Sequence, residues 1–296
     1  MTHTDDVQLP ELPDGVSLVE GEGGLPAVAV HTDSVVAQVY LQGAHVTSWA
    51  PAGATEVLWL SPTSSFAPGK AIRGGVPLCA PWFGPGRDGD KPVAHGWFRT
   101  ATWRLASARR DGGDVVLRFT LSGADAQVPA GEPSNVSAEY VVRVGRELEL
   151  ALTITAGVDG LLMEEALHSY FAVSDVRGVR VEGLAGHRYT DKVSDSQEVQ
   201  SGDLRLAGRT DRVYDHSRVA TVVDEGSGRR IVVAKEGSDS TVVWNPWEAK
   251  AAESADIGDA WPGFVCVEVA NALDHYVVLG PEMPHTMVAT VRVESL

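Results

Sequence analysis

Cysteine is scarce in this sequence, and the two cysteines lie far apart. Cys79 and Cys266 are the only cysteines among 296 residues, and no CxxC motif occurs. Two cysteines cannot form the disulfide framework of a small secreted protein, and reduced thiols are the rule in the cytoplasm. We therefore expect a cytoplasmic protein in which both cysteines act as small buried apolar side chains.

Long apolar runs are also missing. The N-terminus has no basic region followed by an apolar stretch, and no later stretch is long enough to span a membrane. Residues 1–15 are acidic, and we expect them to form a loose N-terminal tail. No shift in composition and no internal repeat divides residues 16–296, which we expect to form a single domain.

Basic residues are outnumbered by acidic ones. The chain has 24 lysines and arginines against 40 aspartates and glutamates, which gives a formal net charge of −16. Such a field repels nucleic acids and anionic membranes, so we expect neither as a partner. An anionic small molecule stays compatible with the sequence if a local cluster of basic residues overrides the overall field. We expect a monomer.

Amphipathic helix patterns are few, and short strand patterns take their place. Runs such as Ala27–His31, Asp114–Ser122 and Glu147–Thr155 are rich in apolar and β-branched residues and are bounded by turn residues. Glycines between neighbouring runs supply hairpin turns. A helical turn or two is predicted only in Glu248–Ile257. The pattern predicts an all-β fold, a large antiparallel β-sandwich.

One stretch, Ala71–Thr100, does not match a strand or a helix. It combines glycines, prolines, tryptophans and phenylalanines with Arg73, His95 and Arg99. Aromatic rings can cover the C–H faces of a sugar, and cationic groups can bind hydroxyls or phosphate. The alternative is a loop whose aromatic side chains only fill space in the core.

Two buried-looking titratable residues stand out in apolar surroundings. Glu268 interrupts the strand-like run FVCVEVAN, where an ionised carboxylate is costly without partners or a raised pKa. It is either a general base or one half of a buried ion pair. His168, in the run EEALHSYF, is either a catalyst or a packed, hydrogen-bonded strand residue. In TDRVY, Asp211 and Arg212 are adjacent and so face opposite sides of a strand.

Six short motifs occur in a fixed order from about residue 25 to the C-terminus. They read IRGGVP, HGWFR, LHSYF, TDRVY, WNPW and CVE. Together they resemble the aldose 1-epimerase superfamily, and within it the D-hexose-6-phosphate mutarotase branch. The resemblance implies a galactose mutarotase-like β-sandwich, an active site without metal or other cofactor, and interconversion of the α and β anomers of a sugar phosphate.

The resemblance also implies roles for individual residues. His168 and Glu268 match the catalytic histidine and glutamate of the family, as the acid at the ring oxygen O5 and the base at O1. The other matches and candidates concern substrate binding: Arg73, His95, Asp211, Arg99, Lys250 and Trp247. Arg73 either grips a phosphate or pairs with an internal acid, and Trp247 either lines the pocket or packs in the core.

Two other functions stay open from the sequence. The protein could be an aldose 1-epimerase for unphosphorylated sugars, or a carbohydrate-binding protein without catalytic activity built on the same sandwich. An acid–base pair is of no use to a protein that only binds. Because burial opposes the charged form of both catalytic groups, we expect activity to depend on pH with a bell-shaped profile.

Overall fold

The computed structural model describes residues 10–296. In that range it contains 23 β-strands, one five-residue α-helix and four short 3₁₀ segments. The all-β class predicted from the sequence is confirmed. No helix in the described range is both long enough and apolar enough to cross a membrane.

The strands and helices have the following bounds. In the first half of the chain the strands are β1 (Val16–Glu20), β2 (Pro26–His31), β3 (Val35–Tyr40), β4 (His45–Pro51), β5 (Leu78–Cys79), β6 (Arg104–Asp111), β7 (Asp114–Ser122), β8 (Ser137–Val144) and β9 (Glu147–Thr155). In the second half they are β10 (Leu161–Met163), β11 (Glu165–Leu167), β12 (Tyr170–Ala172), β13 (Arg180–Glu182), β14 (Arg188–Asp191), β15 (Ser196–Val199), β16 (Leu204–Arg205), β17 (Thr210–Asp215), β18 (Ala220–Asp224), β19 (Arg229–Glu236), β20 (Ser240–Asn245), β21 (Phe264–Asn271), β22 (Val277–Leu279) and β23 (Pro284–Ser295). The helix is α1 (Trp247–Ala251), and the 3₁₀ segments are Glu22–Gly24, Phe98–Thr100, Gly258–Gly263 and Leu273–His275.

Two large antiparallel sheets dominate the fold. One has nine strands in the order β16-β13-β18-β19-β23-β9-β8-β7-β6. The other has eight, in the order β15-β14-β17-β20-β21-β11-β5, with β12 also paired to β21. Every strand pair in both is antiparallel. A four-stranded sheet, β1 to β4 in order, and the pair β10-β22 complete the set.

The core lies between the two large sheets. Along β9 buried and partly exposed residues alternate, so Leu150 and Leu152 point inward while their neighbours face solvent. These leucines belong to the same apolar cluster as Val267 and Val269 of β21 in the other sheet. One face of each sheet therefore contributes to a shared core, which is the predicted sandwich arrangement.

Strand β21 differs from β9 because all eight of its residues are buried. Its second face is covered by the irregular stretch 71–100, where Cys79 and Phe83 form a small apolar cluster with Ala270. Glu268 lies on this covered strand. Cys79 and Cys266 are both buried and unbonded, as predicted.

Three sequence predictions need correction or qualification. His168 is not inside a strand, because it lies in the two-residue break between β11 and β12. The helix predicted in Glu248–Ile257 is shorter and begins earlier, at Trp247. Of the predicted tail 1–15, residues 1–9 lie outside the described residues, and residues 10–15 form no strand or helix before β1 begins.

An ion pair between a partly exposed histidine and a buried glutamate joins the C-terminal strand to the eight-stranded sheet, and it should make stability depend on pH. His285 Nε2 lies 3.0 Å from Oε1 of fully buried Glu165, which also accepts a hydrogen bond from Asn271. The hydrogen bond to Glu165 raises the pKa of His285 above its usual value, against the effect of burial. A raised pKa means that the pair stabilises the fold fully below about pH 6.5, and that this stabilisation is lost as the pH rises through the folded-state pKa.

We therefore expect His285→Gln to lower the free energy of unfolding more at pH 6 than at pH 9. Denaturant unfolding of the wild type and the variant at both pH values measures the difference. His31→Gln, at an exposed position, is the control and should change stability little at either pH. An equal loss for His285→Gln at pH 6 and pH 9 would contradict the ion pair.

Candidate active site

His168 and Glu268 meet in the structure. Nε2 of His168 lies 3.4 Å from Oε1 of Glu268, and both side chains are buried. Glu268 sits in the middle of β21, while His168 lies in the break between β11 and β12, both of which pair with β21. The sheet pairing therefore brings together two residues that are distant in sequence.

Aromatic rings fix the orientation of the His168 imidazole. The ring of Tyr170 stacks on it with centroids 4.8 Å apart and planes at 11°. Trp244 and His95 approach edge-on at 5.9 Å and 5.7 Å. Within residues 10–296, His168 Nδ1 and Glu268 Oε2 have no hydrogen-bond partner. Because buried polar atoms are nearly always paired, these two atoms indicate a site that takes a polar ligand or water.

Burial favours the uncharged form of both residues. It lowers the pKa of His168 well below the usual value, and the neighbouring His95 and nearby arginines lower it further. It also raises the pKa of Glu268 well above the usual value, an effect that Asp211 strengthens and Lys192 opposes. When both residues are uncharged, the pair holds one exchangeable proton, on Glu268.

Arg73 reaches the same site from the glycine-rich loop. Its Nη1 donates to the Tyr170 hydroxyl at 3.0 Å and its Nε to Oδ2 of Asp256 at 2.9 Å. Burial lowers the pKa of Arg73, but the interactions with Tyr170 and Asp256 outweigh this and raise it. Of the two alternatives for Arg73, the structure shows the pairing with an internal acid. The side chain stays 30% exposed, so it can also bind a ligand.

The double glycine after Arg73 permits a close approach of backbones. Gly74 and Gly75 have φ of +105° and +60°, and a Cβ on either would lie within 2.5 Å of a carbonyl oxygen, Trp59 O or Val46 O. His45 holds the turn, because its Nε2–H donates to the Gly74 carbonyl at 2.7 Å. Burial lowers the pKa of His45 to about 4, so the ring is neutral at pH 7.

His95 and Arg99 come from the end of the irregular stretch. His95 Nδ1 accepts a hydrogen bond from the Gly84 amide at 3.2 Å, which leaves Nε2–H as the donor of the neutral ring. Burial lowers its pKa to about 3, helped by the charges of Arg99, Lys192 and Arg73. Arg99 donates to the Ala94 carbonyl at 2.6 Å.

The strand register places Asp211 on the same face of the sheet as Trp244 and Glu268, whereas its neighbour Arg212 lies on the other face. Burial raises the pKa of Asp211, although Lys192 and Arg209 lower it. Arg212 points the other way and pairs with Asp191 at 3.0 Å. The prediction that Asp211 and Arg212 cannot share one pocket is confirmed.

The structure places two of the candidate residues elsewhere. Trp247 packs against Trp261 with ring centroids 4.8 Å apart. Lys250 lies on the exposed face of α1 and pairs with Glu253 at 2.5 Å, one turn along. The helix that carries both side chains directs them to local partners, whereas Trp244, in the same WNPW motif, is the tryptophan that contacts His168.

Comparison with known proteins decides the family. The model of the aldose 1-epimerase family matches residues 27–290. This chain belongs to the aldose 1-epimerase family. It is therefore an isomerase that interconverts the anomers of a sugar, and the alternative of a carbohydrate-binding protein without catalytic activity is not supported.

Two relatives of this chain support its assignment to the aldose 1-epimerase family. A protein of Escherichia coli K12 named "Putative glucose-6-phosphate 1-epimerase" is 38% identical over 273 residues, which cover 91% of this chain and 90% of the relative. The crystal structure of a "putative mutarotase (YeaD)" from Salmonella typhimurium superposes with a TM-score of 0.90 at 32% identity, covering 97% of this chain and 96% of the other.

A more distant structure supports the fold alone. A galactose mutarotase-like protein of Clostridium acetobutylicum has a TM-score of 0.72 at 11% identity and covers 95% of this chain and 98% of its own. The predicted galactose mutarotase-like sandwich is confirmed.

Sequence reasoning missed four residues of this epimerase's candidate site. Tyr170 and Trp244 lie within the quoted motifs LHSYF and WNPW, so the motifs carried a signal for them. Asp256 and Lys192 had none, because Asp256 lies in the turns after α1 and Lys192 in the turn after the four-residue strand β14, where side-chain direction depends on tertiary contacts. Asp256 pairs with a residue 183 positions away in sequence.

Proposed function

We propose that this enzyme interconverts the α and β anomers of a hexose 6-phosphate, with Glu268 and His168 as the acid–base pair. The contact of 3.4 Å between His168 Nε2 and Glu268 Oε1 carries the proposal. O1 and O5 of a hexose are both bonded to C1 and therefore lie close together. Two side chains that are in contact in the free enzyme can reach both oxygens after moving only slightly apart. The names of the relatives add support for a phosphorylated substrate.

The proton balance of the reaction matches a pair that holds one proton. Ring opening begins with the proton on His168 and the carboxylate of Glu268 ionised. Glu268 takes the O1 proton, the C1–O5 bond breaks as C1=O1 forms, and His168 gives its proton to O5. The aldehyde turns about C1–C2, and O5–H attacks its other face while both protons return. Each positioned transfer contributes about 100- to 10,000-fold.

Burial disfavours the starting state in which His168 is protonated and Glu268 is ionised, so other charges near the pair must stabilise it. The positive charge of Lys192 lowers the pKa of Glu268 and so favours its carboxylate. The short distance between the pair adds attraction when the proton is on His168. Transfer of a single proton from Glu268 to His168 converts the uncharged pair into the charged form that starts the reaction.

The remaining candidates would hold the sugar. In this proposal Asp211 accepts hydrogen bonds from hydroxyls, and His95 Nε2–H, Arg73 and Arg99 donate to oxygens of the substrate. These four side chains are all partly exposed, whereas the catalytic pair is buried. Trp247 and Lys250 have no role here, because Trp247 packs against Trp261 and Lys250 pairs with Glu253.

An unphosphorylated aldose is the second candidate substrate. The observation in its favour is the ion pair between Arg73 and Asp256. It offsets the charge of the arginine that would be the obvious phosphate ligand. The two substrates differ only in the 6-phosphate, so a direct comparison separates them.

Freshly dissolved α-glucose 6-phosphate should reach its anomeric equilibrium faster when the protein is present. Polarimetry at several substrate concentrations, with buffer alone as control, gives kcat/KM, and α-glucose is assayed in parallel. We expect kcat/KM for the phosphate ester to exceed that for glucose by at least about tenfold, the scale of one hydrogen bond to a charged group. Equal values, or a higher value for glucose, would replace the proposal with the second candidate.

A further inference from the structure

We propose that Glu164 is a positioning residue of the site: its carboxylate holds the backbone of the irregular stretch 71–100 so that His95 presents Nε2–H to the sugar. The inference rests on the proposed function, in which His95 is one of the groups that hold the substrate. Glu164 lies between β10 and β11 and is only 2% exposed. Its carboxylate must therefore find its partners inside the protein.

The carboxylate of Glu164 binds two backbone amides from different parts of the chain. Oε2 accepts a hydrogen bond from the Phe83 amide at 3.2 Å, and Oε1 accepts one from the Leu273 amide at 2.8 Å. Phe83 belongs to the irregular stretch, and Leu273 follows β21, the strand that carries Glu268. The Glu164 amide in turn donates to the Pro81 carbonyl at 3.1 Å. One residue therefore ties the stretch that covers β21 to the end of that strand.

Both of these hydrogen bonds fix main chain and not a side chain. A peptide group is planar, so a bond to its N–H also sets the direction of the carbonyl in the same plane. Burial raises the pKa of Glu164, while the hydrogen bonds from Leu273 and Phe83 and the charges of Arg87 and Lys192 lower it. The two amides therefore favour the ionised carboxylate, which is the form that accepts from both of them.

The segment that Glu164 holds is the one that places His95. The Phe83 ring meets the His95 ring edge-on, with centroids 4.9 Å apart and planes at 88°. The next residue, Gly84, donates its amide to His95 Nδ1 at 3.2 Å, and its carbonyl accepts from the His95 amide at 2.7 Å. These contacts set both the position of the imidazole and the nitrogen that carries its proton. The His95 ring in turn meets the His168 ring edge-on at 5.7 Å.

Strained backbone occurs at both ends of this arrangement. Leu273, whose amide donates to Glu164, has φ of +56°, and His95 has φ of +64°. Residues other than glycine rarely adopt this left-handed region, and they stay in it only where the surrounding contacts hold them. Such residues cluster at active sites, where a group must keep one orientation. The hydrogen bonds of Glu164 and Gly84 are contacts that hold these two residues in place.

A purely structural role for Glu164 is the alternative, and its neighbour Glu165 provides the comparison. Glu165 is also fully buried, and its carboxylate binds Asn271 and His285. These partners belong to β21 and β23 and not to the irregular stretch. If Glu164 only stabilised the fold, glutamine at either position would lower stability and leave the kinetic constants of the folded enzyme unchanged.

The test compares Glu164→Gln and Glu165→Gln with the wild type by denaturant unfolding and by polarimetry on α-glucose 6-phosphate and α-glucose. The NH₂ of a glutamine donates and cannot accept, so Glu164→Gln breaks one of the two amide bonds with little change in volume. We expect its kcat/KM to fall at least about tenfold on both sugars, mainly through KM, because His95 loses its alignment with the sugar. Glu165→Gln should lose stability but keep kcat/KM within about threefold of the wild type.

A double-mutant cycle decides whether Glu164 acts through His95. His95→Ala removes the imidazole and should by itself lower kcat/KM at least about tenfold. Adding Glu164→Gln to His95→Ala should then cost less than about threefold more, because the two changes affect one interaction. The inference is wrong if the two losses multiply in full, if Glu164→Gln keeps the wild-type kcat/KM, or if Glu165→Gln loses as much activity.

Glu164→Asp replaces Glu164→Gln in these measurements if the glutamine variant does not fold. It keeps the charge but is one methylene shorter, so it cannot span the two amides as glutamate does, and the same losses are expected. Failure of both variants to fold would assign Glu164 to stability and overturn the inference.

Failure of the proposed function would look different. His95→Ala with wild-type kcat/KM on both sugars would remove the sugar-binding role of His95 from the proposed function. A loss in His95→Ala without one in Glu164→Gln would leave that role intact and remove the inference alone. Equal rates of the wild type on the two sugars would change the preferred substrate but not the cycle, which is measured on both.

Discussion

Glu268→Gln and His168→Asn are each expected to lower kcat for anomer interconversion by about 100- to 10,000-fold. Each variant removes one of the two proton transfers; Glu268→Gln keeps the side-chain volume, and His168→Asn keeps a polar but smaller side chain. The two groups lie 3.4 Å apart, and the proposed mechanism uses both in the same step, so they act as a unit. The double variant should therefore be little slower than the slower single variant, because effects in such a unit are not additive.

The pH profile provides a second readout of the same pair. The wild-type rate should rise and then fall with pH, because activity needs the pair to hold one proton and fails when it holds two or none. Either single variant should lose the bell shape, since only one titrating group remains. Polarimetry of both variants between pH 5 and pH 9 measures this.

Stability separates loss of catalysis from loss of folding. Glu268 has a raised pKa, so it destabilises the fold increasingly as the pH rises above about 4.5, and a neutral amide removes that effect. His168 has a lowered pKa, so it destabilises the fold as the pH falls below about 6.5. We expect Glu268→Gln to be at least as stable as the wild type at pH 7.5, as active-site replacements often are.

Glu236→Gln, at an exposed position on β19, is the control and should leave both rate and stability unchanged. Wild-type rates in both Glu268→Gln and His168→Asn, with a flat pH profile, would remove the proposed mechanism. A rate loss accompanied by a large loss of stability would mean that the variant reports on folding, and the pH profile of the residual activity would then decide.

Gly96→Ala is expected to cause the largest loss of stability among single methyl additions near the site. Gly96 has φ of +68°, and a Cβ there would lie 1.8 Å from the Ala80 carbonyl oxygen. That oxygen accepts hydrogen bonds from the amides of Trp97 and Phe98 at 3.1 and 3.3 Å. The backbone must therefore move, and His95 lies directly before the glycine.

A second glycine, Gly112, separates the cost of the backbone conformation from the cost of the steric collision. Gly112, in the β6–β7 turn, has φ of +61° but open space around a would-be Cβ. Gly112→Ala should cost about 1–2 kcal/mol, from backbone conformation alone. Gly96→Ala should cost about 1–3 kcal/mol more because of the collision. Denaturant unfolding measures both, and polarimetry should show reduced activity only for Gly96→Ala. Equal stability losses in the two variants would contradict the close packing of this loop.

The long strands could be predicted from the sequence because their burial alternates. In β9, every second residue from Leu148 to Ile154 is buried, and this period of two is readable without any tertiary information. The short strands β10 to β16 could not be predicted in this way. Strands of two to four residues are too short to show a period, and the pairing partner decides whether they form.

The candidate site was predicted only in part. The motifs identified His168 and Glu268, but a strand was predicted at His168 where the structure has a break between β11 and β12. Trp247, the last residue of WNPW, was expected at the sugar, and Lys250, three residues later, in an anion-binding cluster, yet in helix α1 they contact Trp261 and Glu253. A motif fixes the residue types but not the direction in which each side chain points.

By itself, the sequence determined the all-β architecture and the family and predicted the two residues of the proposed acid–base pair, because periodicity and motif order are local properties of the chain. Tertiary structure alone decided which charges surround that pair. Arg73 is engaged by Asp256, and the ammonium of Lys192 lies 5.2 Å from the centre of the Phe83 ring. Such contacts join residues more than a hundred positions apart, and their distances follow from strand register and loop packing, which no local pattern encodes.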